Sequence, residues 1–173
     1  MKKYIVILFI LTFCAGIVYA AHEKTVPDPY REIQKHMPKA AAGDLRYHIT
    51  IHKPYQNWAL WPGKGKLYKG KEPHGSLLTT YVNEVALDSI KKAQGMTDRA
   101  MIVKENYDAN KKLMAVTVMY KVKGYNPEGG DWFWAKYDPK MEIQAEGKVK
   151  ECMDCHGTVK DNDYIFTGKV AGK

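Results

Sequence analysis

Cysteine is scarce in this chain: there are three among 173 residues, and one of them, Cys14, lies in an N-terminal apolar stretch. A disulfide framework of the kind that staples small secreted domains needs several pairs, so that architecture is excluded. Acidic residues are also in deficit, 19 against 27 Lys and Arg, for a formal net charge of +8. The lysines are scattered rather than gathered into a stripe, which argues against nucleic acid and favours acidic partners. Internal repeats and low-complexity tracts are missing. So are a Ser/His/Asp arrangement and a phosphate-cradling loop, since Gly63-x-Gly65 lacks the third glycine and the following helix. The length suffices for one domain with a genuine core.

The apolar run from Tyr4 to Val18 is short for a spanning helix and has no stop-transfer flank. Lys2 and Lys3 precede it and Val18-Tyr19-Ala20 ends it in a small residue, the pattern of a secretory leader over residues 1–20 cleaved after Ala20. Phe13 is too bulky for lipoprotein processing at Cys14. The expectation is export to the periplasm, with membrane attachment only if the leader is retained. Residues 21–44 read as a polar, Pro-punctuated arm with a helix over Tyr30–Met37, started by Asp28-Pro29 and stopped by Pro38. Residues 45–173 form the main domain. Without the leader, Cys152 and Cys155 are the remaining thiols.

Those two cysteines belong to Cys152-Met153-Asp154-Cys155-His156, a C-x-x-C-H motif. Each thiol can add across one haem vinyl group, and the adjoining histidine then falls under the iron as proximal ligand. One covalently attached haem c near the C-terminus is the implied cofactor, with His156 as its metal ligand. A zinc site would need further Cys/His pairs. There is no second C-x-x-C, and His48 and His52, four apart, fall in a run that reads as strand.

That run, Leu45 to His52, alternates apolar and polar residues with Leu45, Tyr47, Ile49 and Ile51 on one face. A short helical segment is expected over Tyr55–Trp61, then a Gly/Lys/Pro loop over Lys64–Gly75 and a strand over Leu77–Val82. Asn83 caps a helix running to about Gln94, ended by Gly95. Arg99–Tyr107 and Lys112–Val122 form a hairpin about Asp108–Lys111, and Asp131–Tyr137 is an aromatic strand after the Asn126–Gly130 turn. The sum is an α+β fold, a mainly antiparallel sheet with a few peripheral helices. In this register Ile102, Lys104 and Asn106 share one strand face, and Met101, Val103 and Glu105 the other.

Five segments carry a resemblance to the cytochrome P-460 family, which includes the cytochromes c′-β. They are the Trp-containing segment before the Gly/Lys loop, Thr79-Thr80-Tyr81-Val82-Asn83, Ile102-Val103-Lys104-Glu105-Asn106, Gly130-Asp131-Trp132, and Cys152–His156 with Asp163-Tyr164-Ile165-Phe166-Thr167 after it. The resemblance implies a β-sheet homodimer with one five-coordinate haem c per subunit. It also implies chemistry or binding of small nitrogen species at the open iron, and a redox protein partner. In cytochromes P-460 proper a lysine is bonded to the haem, and the matching residue is Lys104. Hydroxylamine-oxidising members carry an arginine just before the T-x-Y-V segment and a distal carboxylate. Here those positions are Leu78 and Met119. They imply an apolar distal pocket better suited to NO or CO than to hydroxylamine.

Two other functional classes stay open. One is a six-coordinate electron-transfer cytochrome with a Met (Met101, Met114, Met119 or Met141) or a His above the iron. The other is a gas sensor or scavenger without turnover. His74, in the Gly/Pro loop, is placed to reach a pocket mouth. His48 and His52 read as solvent-facing and His22 and His36 as solvated arm residues. Trp58, Trp61, Trp132 and Trp134 are expected to wall the haem and the core.

Overall fold

The computed structural model describes residues 37–171. The leader, His22, His36 and nearly all of the helix expected at 30–37 lie outside the described residues. The alternating segments pair into one seven-stranded sheet in which every pairing is antiparallel. Strands β3 (Leu77–Val82), β4 (Met101–Tyr107), β5 (Leu113–Lys121), β6 (Trp132–Tyr137) and β7 (Ile143–Gly147) follow one another across it. The two-residue β1 (Ala59–Leu60) and β2 (Tyr68–Lys69) lie along the outer edge of β3. With helices α1 (Ala42–Tyr47), α2 (Glu84–Lys92) and α3 (Lys150–Gly157) around it, the fold is the expected α+β. Among the described residues, no helix is long and apolar enough to cross a membrane.

Asn83 starts α2 as anticipated, its Oδ1 accepting from Ala86 N at 2.9 Å. The same oxygen accepts from Met101 N at 3.0 Å, which ties the helix start to β4. The helix ends in a left-handed Ala93 (φ 52°), two residues before Gly95.

The segment Leu45–His52 corrects the strand reading. It is α1 continued by a π-helical turn over His48–His52. Leu45 and Ile49 are fully buried, while Tyr47 and Ile51 are 62% and 65% exposed. Residues two apart thus lie on opposite sides and residues four apart on the same side, as on a helix. Alternation every two residues also places apolar groups every four, so the pattern was ambiguous. Thr50 Oγ1 donates to Arg46 O at 2.8 Å, and Glu146 Oε2 of β7 accepts from Ala42 N at 2.8 Å at the helix start. Ala42, Gly43 and Asp44, at the end of the stretch read as an arm, therefore belong to this helix. His48 is buried, not solvent-facing, and its Nδ1 lies 3.3 Å from His52 Nδ1.

The sheet has two unlike faces. One carries Tyr81, Val103, Val118, Tyr120, Phe133 and Tyr137, closed over by Leu45, Ile49 and Tyr55. The other carries Val82, Ile102, Met119, Trp132 and Trp134, covered at one end by α2 and by Ile165 and Val170 of the C-terminal segment. Its remaining part is open, and α3 lies against it.

Candidate functional site

Helix α3 begins after Val149 and carries Cys152, Cys155 and His156. Asn126 Nδ2 donates to Met153 Sδ at 3.1 Å, which anchors the helix to the turn before β6. Both cysteines are unbridged; Cys152 is half-buried and Cys155 exposed. Burial, then the neighbouring Glu151 carboxylate, pushes the Cys152 thiol up from its ordinary value.

His156 is buried, with Trp134 at 4.7 Å and Phe166 at 5.2 Å between ring centres. Its Nδ1 lies 2.6 Å from the Tyr164 carbonyl oxygen. A carbonyl only accepts, so Nδ1 carries the proton and Nε2 keeps its lone pair. Burial is the main cause that lowers its pKa, which favours the neutral ring a metal needs. That carbonyl is held from its neighbour: Asp163 accepts from Met96 N at 2.6 Å and pairs with Lys121 Nζ at 2.5 Å, and its own carbonyl accepts from Trp132 Nε1 at 3.1 Å. Asp163 and Tyr164 both have left-handed backbone (φ 53° and 65°). The Tyr164 ring lies so close over Gly130 that a Cβ there would stand 2.4 Å from it.

A cavity of about 770 Å³ joins α3 to the open sheet face. Cys152, Cys155, His156, Lys104 and Met119 all line it. The expected register holds: Ile102, Lys104 and Asn106 face the cavity, while Glu105 points to the closed face, accepting from Tyr55 OH at 2.9 Å and Tyr107 OH at 2.7 Å. Lys104 pairs across the sheet with Thr80 and Thr117. Burial pulls its amine down to about 8, so about a tenth of it is neutral at pH 7.

Leu78 departs from its expected role as pocket lining. It pairs with Asn106 on the cavity face but is buried beside Gly70 and is not among the lining residues. The pocket is also not apolar throughout: Asn106, Thr117, Lys136 and His74 line it alongside Ile102, Met119 and Trp134. Alternation along β4 and β5 was the signal for Asn106 and Thr117. The same alternation along β6 places Lys136 on the face of Trp134, while Asp163 stood out only as part of the segment after the C-x-x-C-H motif. Of the methionines weighed as ligands, Met114 and Met119 line the cavity, whereas Met101 and Met141 pack on the closed face. Trp134 walls the cavity; Trp61 and Trp132 pack in the cluster beside it, and Trp58 against the opposite core.

The residues present fit a covalently held porphyrin. The cavity is within the roughly 300–1,000 Å³ of small-molecule and cofactor pockets. Two free thiols and a neutral imidazole line it. In its wall Trp134 Nε1 is buried with no hydrogen-bond partner, a donor waiting for an acceptor on a bound group. Among the described residues no group of three or more His, Cys, Asp or Glu could hold a bare metal ion.

A protein-family model described as Cytochrome P460 matches residues 52–167, which span all seven strands and the C-x-x-C-H helix. Comparison with curated proteins finds no match.

Proposed function

Because this chain belongs to the cytochrome P460 family, whose members are haem cytochromes, we propose that it is an exported mono-haem c-type cytochrome binding or converting small nitrogen species. NO is the foremost candidate, hydroxylamine the second. The observation that carries this reading is the convergence of Cys152, Cys155 and a tautomer-fixed His156 on one cavity beside Lys104. When bound, haem supplies a redox-active iron with a coordination position for a small ligand. The protein's part is to tether the porphyrin through Cys152 and Cys155, to present His156 Nε2, and to wall the pocket with Ile102, Met119 and Trp134.

Lys104 is the residue placed where the family's lysine meets the haem, and burial lowers its amine to about 8, so that part of it is neutral. A homodimer, a redox partner with an acidic docking face and a periplasmic location complete the proposal. The net charge of +8, or +6 once Lys2 and Lys3 leave with the leader, supports the second of these.

Intact mass of the purified protein, with ferrous spectra taken with and without NO, tests it. The expected result is one haem per chain, a mass lacking the leader, and a spectrum that responds to NO. Colour that extracts into acidified organic solvent would overturn it. Lys104→Ala should change the ferrous spectrum and abolish any lysine bond; an identical spectrum would rule that bond out.

A further inference from the structure

The correction of Leu45–His52 from strand to helix changes what its two histidines can do. His48-Ile49-Thr50-Ile51-His52 is an H-x-x-x-H run. On a strand its ends would stand about 13 Å apart, whereas on a helical turn residues four apart are neighbours. The turn is π-helical, closed by Lys53 N donating to His48 O at 2.7 Å. Such turns are rare and recur at functional sites. His48 is buried and His52 exposed, so the pair reaches from the core to solvent. Leu45 and Ile49 beside it close over the face of the sheet opposite the cavity, and neither histidine lines that cavity.

The donor atoms themselves converge. His48 Nδ1 and His52 Nδ1 are 3.3 Å apart while the ring centres are 5.2 Å apart, so these nitrogens stand on the facing sides of the rings. That separation is long for a hydrogen bond. It matches the edge of a tetrahedron with bonds of about 2.05 Å, which is about 3.3 Å. Because a ring nitrogen lies about 1.15 Å from its ring centre, equally inclined ring axes with these two separations cross about 2 Å from each nitrogen, at about 110°. Those are the bond length and angle of two imidazoles on a tetrahedral zinc ion. Ligands at a right angle, as in a square or octahedral site, would bring the nitrogens to about 3 Å or less. Burial first, then His52 and Lys53, keeps His48 neutral, as a ligand must be.

We propose that His48 and His52 form a two-imidazole site for zinc or a zinc-like divalent cation, separate from the haem site, with water in the remaining positions. Among the described residues no third His, Cys, Asp or Glu joins them, so the site is an open one rather than a closed structural centre. In the loaded form both rings carry their proton on Nε2, and binding to the neutral pair releases none. The cation ties His52 to the buried His48 across the π turn, and stabilises the folded chain by mass action. The Lys53 ammonium next to the pair opposes it, which makes the site weaker than its geometry alone would give.

The test uses the leader-free, haem-loaded protein, whose motif thiols are consumed; any thiol left free is alkylated first. Titration calorimetry with zinc chloride should show one equivalent bound to wild type. Loss of an outer-shell partner alone weakens a metal site about 10–100-fold, so His48→Gln and His52→Gln should each weaken this one at least about tenfold. Lys53→Ala should tighten it about threefold, a gain that a damaged fold cannot produce. Zinc should raise the Tm of wild type but not that of His52→Gln, whose altered side chain is exposed. Zinc-edge X-ray absorption should show imidazole nitrogens at about 2.0 Å, with the haem spectrum unchanged. No binding to wild type overturns the proposal, as does a haem spectrum that zinc alters. Binding retained in either glutamine variant also overturns it and marks an adventitious ion only. Each of these failures leaves the haem reading standing, because the two sites share no residue.

Discussion

The two faces of the sheet are built from the same strands, often from neighbouring residues, yet they treat polar groups in opposite ways. On the closed face Glu105 is buried, and the hydroxyls of Tyr55 and Tyr107 both donate to its carboxylate. On the cavity face its neighbour Lys104 makes no hydrogen bond or ion pair through its amine to the described residues, and Trp134 Nε1 has no partner either. The contrast is between satisfied and available groups more than between apolar and polar ones. Leaving buried groups available costs stability, and the closed face, with its packed aromatics, offsets it. Side chains alternate strictly along β4, so a slip of one residue would exchange the two roles.

The comparison is broken most strongly by a hole in the closed face. Leu45→Ala removes a fully buried side chain from tight packing and should cost about 2–5 kcal/mol by urea denaturation. A cost under about 1 kcal/mol would mean that α1 is not integral to the core. Next in size, Asp163→Asn breaks a half-buried ion pair with Lys121 but tolerates the left-handed backbone, so about 2 kcal/mol should be lost. The same variant should loosen His156 and shift the haem spectrum, which a purely structural lesion on the closed face would not do.

A pH titration sharpens the contrast. Burial first, then His52 and Lys53, depresses the pKa of His48 from 6.5 to about 4. A depressed value means that the unfolded chain takes up the proton first. The folded state is therefore fully favoured above pH 6.5 and loses about 2 kcal/mol as pH falls toward 4. In His48→Gln that part of the acid sensitivity should vanish in denaturation curves taken across the interval. Smallest of all, Met119→Ala trims a side chain at the edge of the cavity wall and should cost about 1 kcal/mol by urea denaturation.

Legibility in the sequence followed physical cause. Strands β3 to β6 and helix α2 were readable because a period of two or an Asn cap marks each locally. The Lys104 and Glu105 assignment to opposite faces came from the same alternation. Leu45–His52 reads as a strand because spacings of two and four coincide there, and the deciding fact, the burial of Leu45 and Ile49 against the sheet, is tertiary. Strand β7 was missed because an edge strand with exposed Gln144 and Glu146 needs no apolar alternation. The C-x-x-C-H tether was plain because its chemistry is contiguous. The Tyr164 carbonyl and the meeting of His74 with His156 join residues distant in sequence, and no local pattern could announce them.

The oxygen that steers His156 belongs to the backbone, so a change of side chain at 164 leaves it in place. What holds it there is Asp163, gripped from Met96, Lys121 and Trp132. Natural variation should then drift more freely at the tyrosine than at the aspartate before it, and Lys121 should drift together with that aspartate. The aim of the His156 imidazole is thus inherited from a strand and a loop rather than from the helix that carries it.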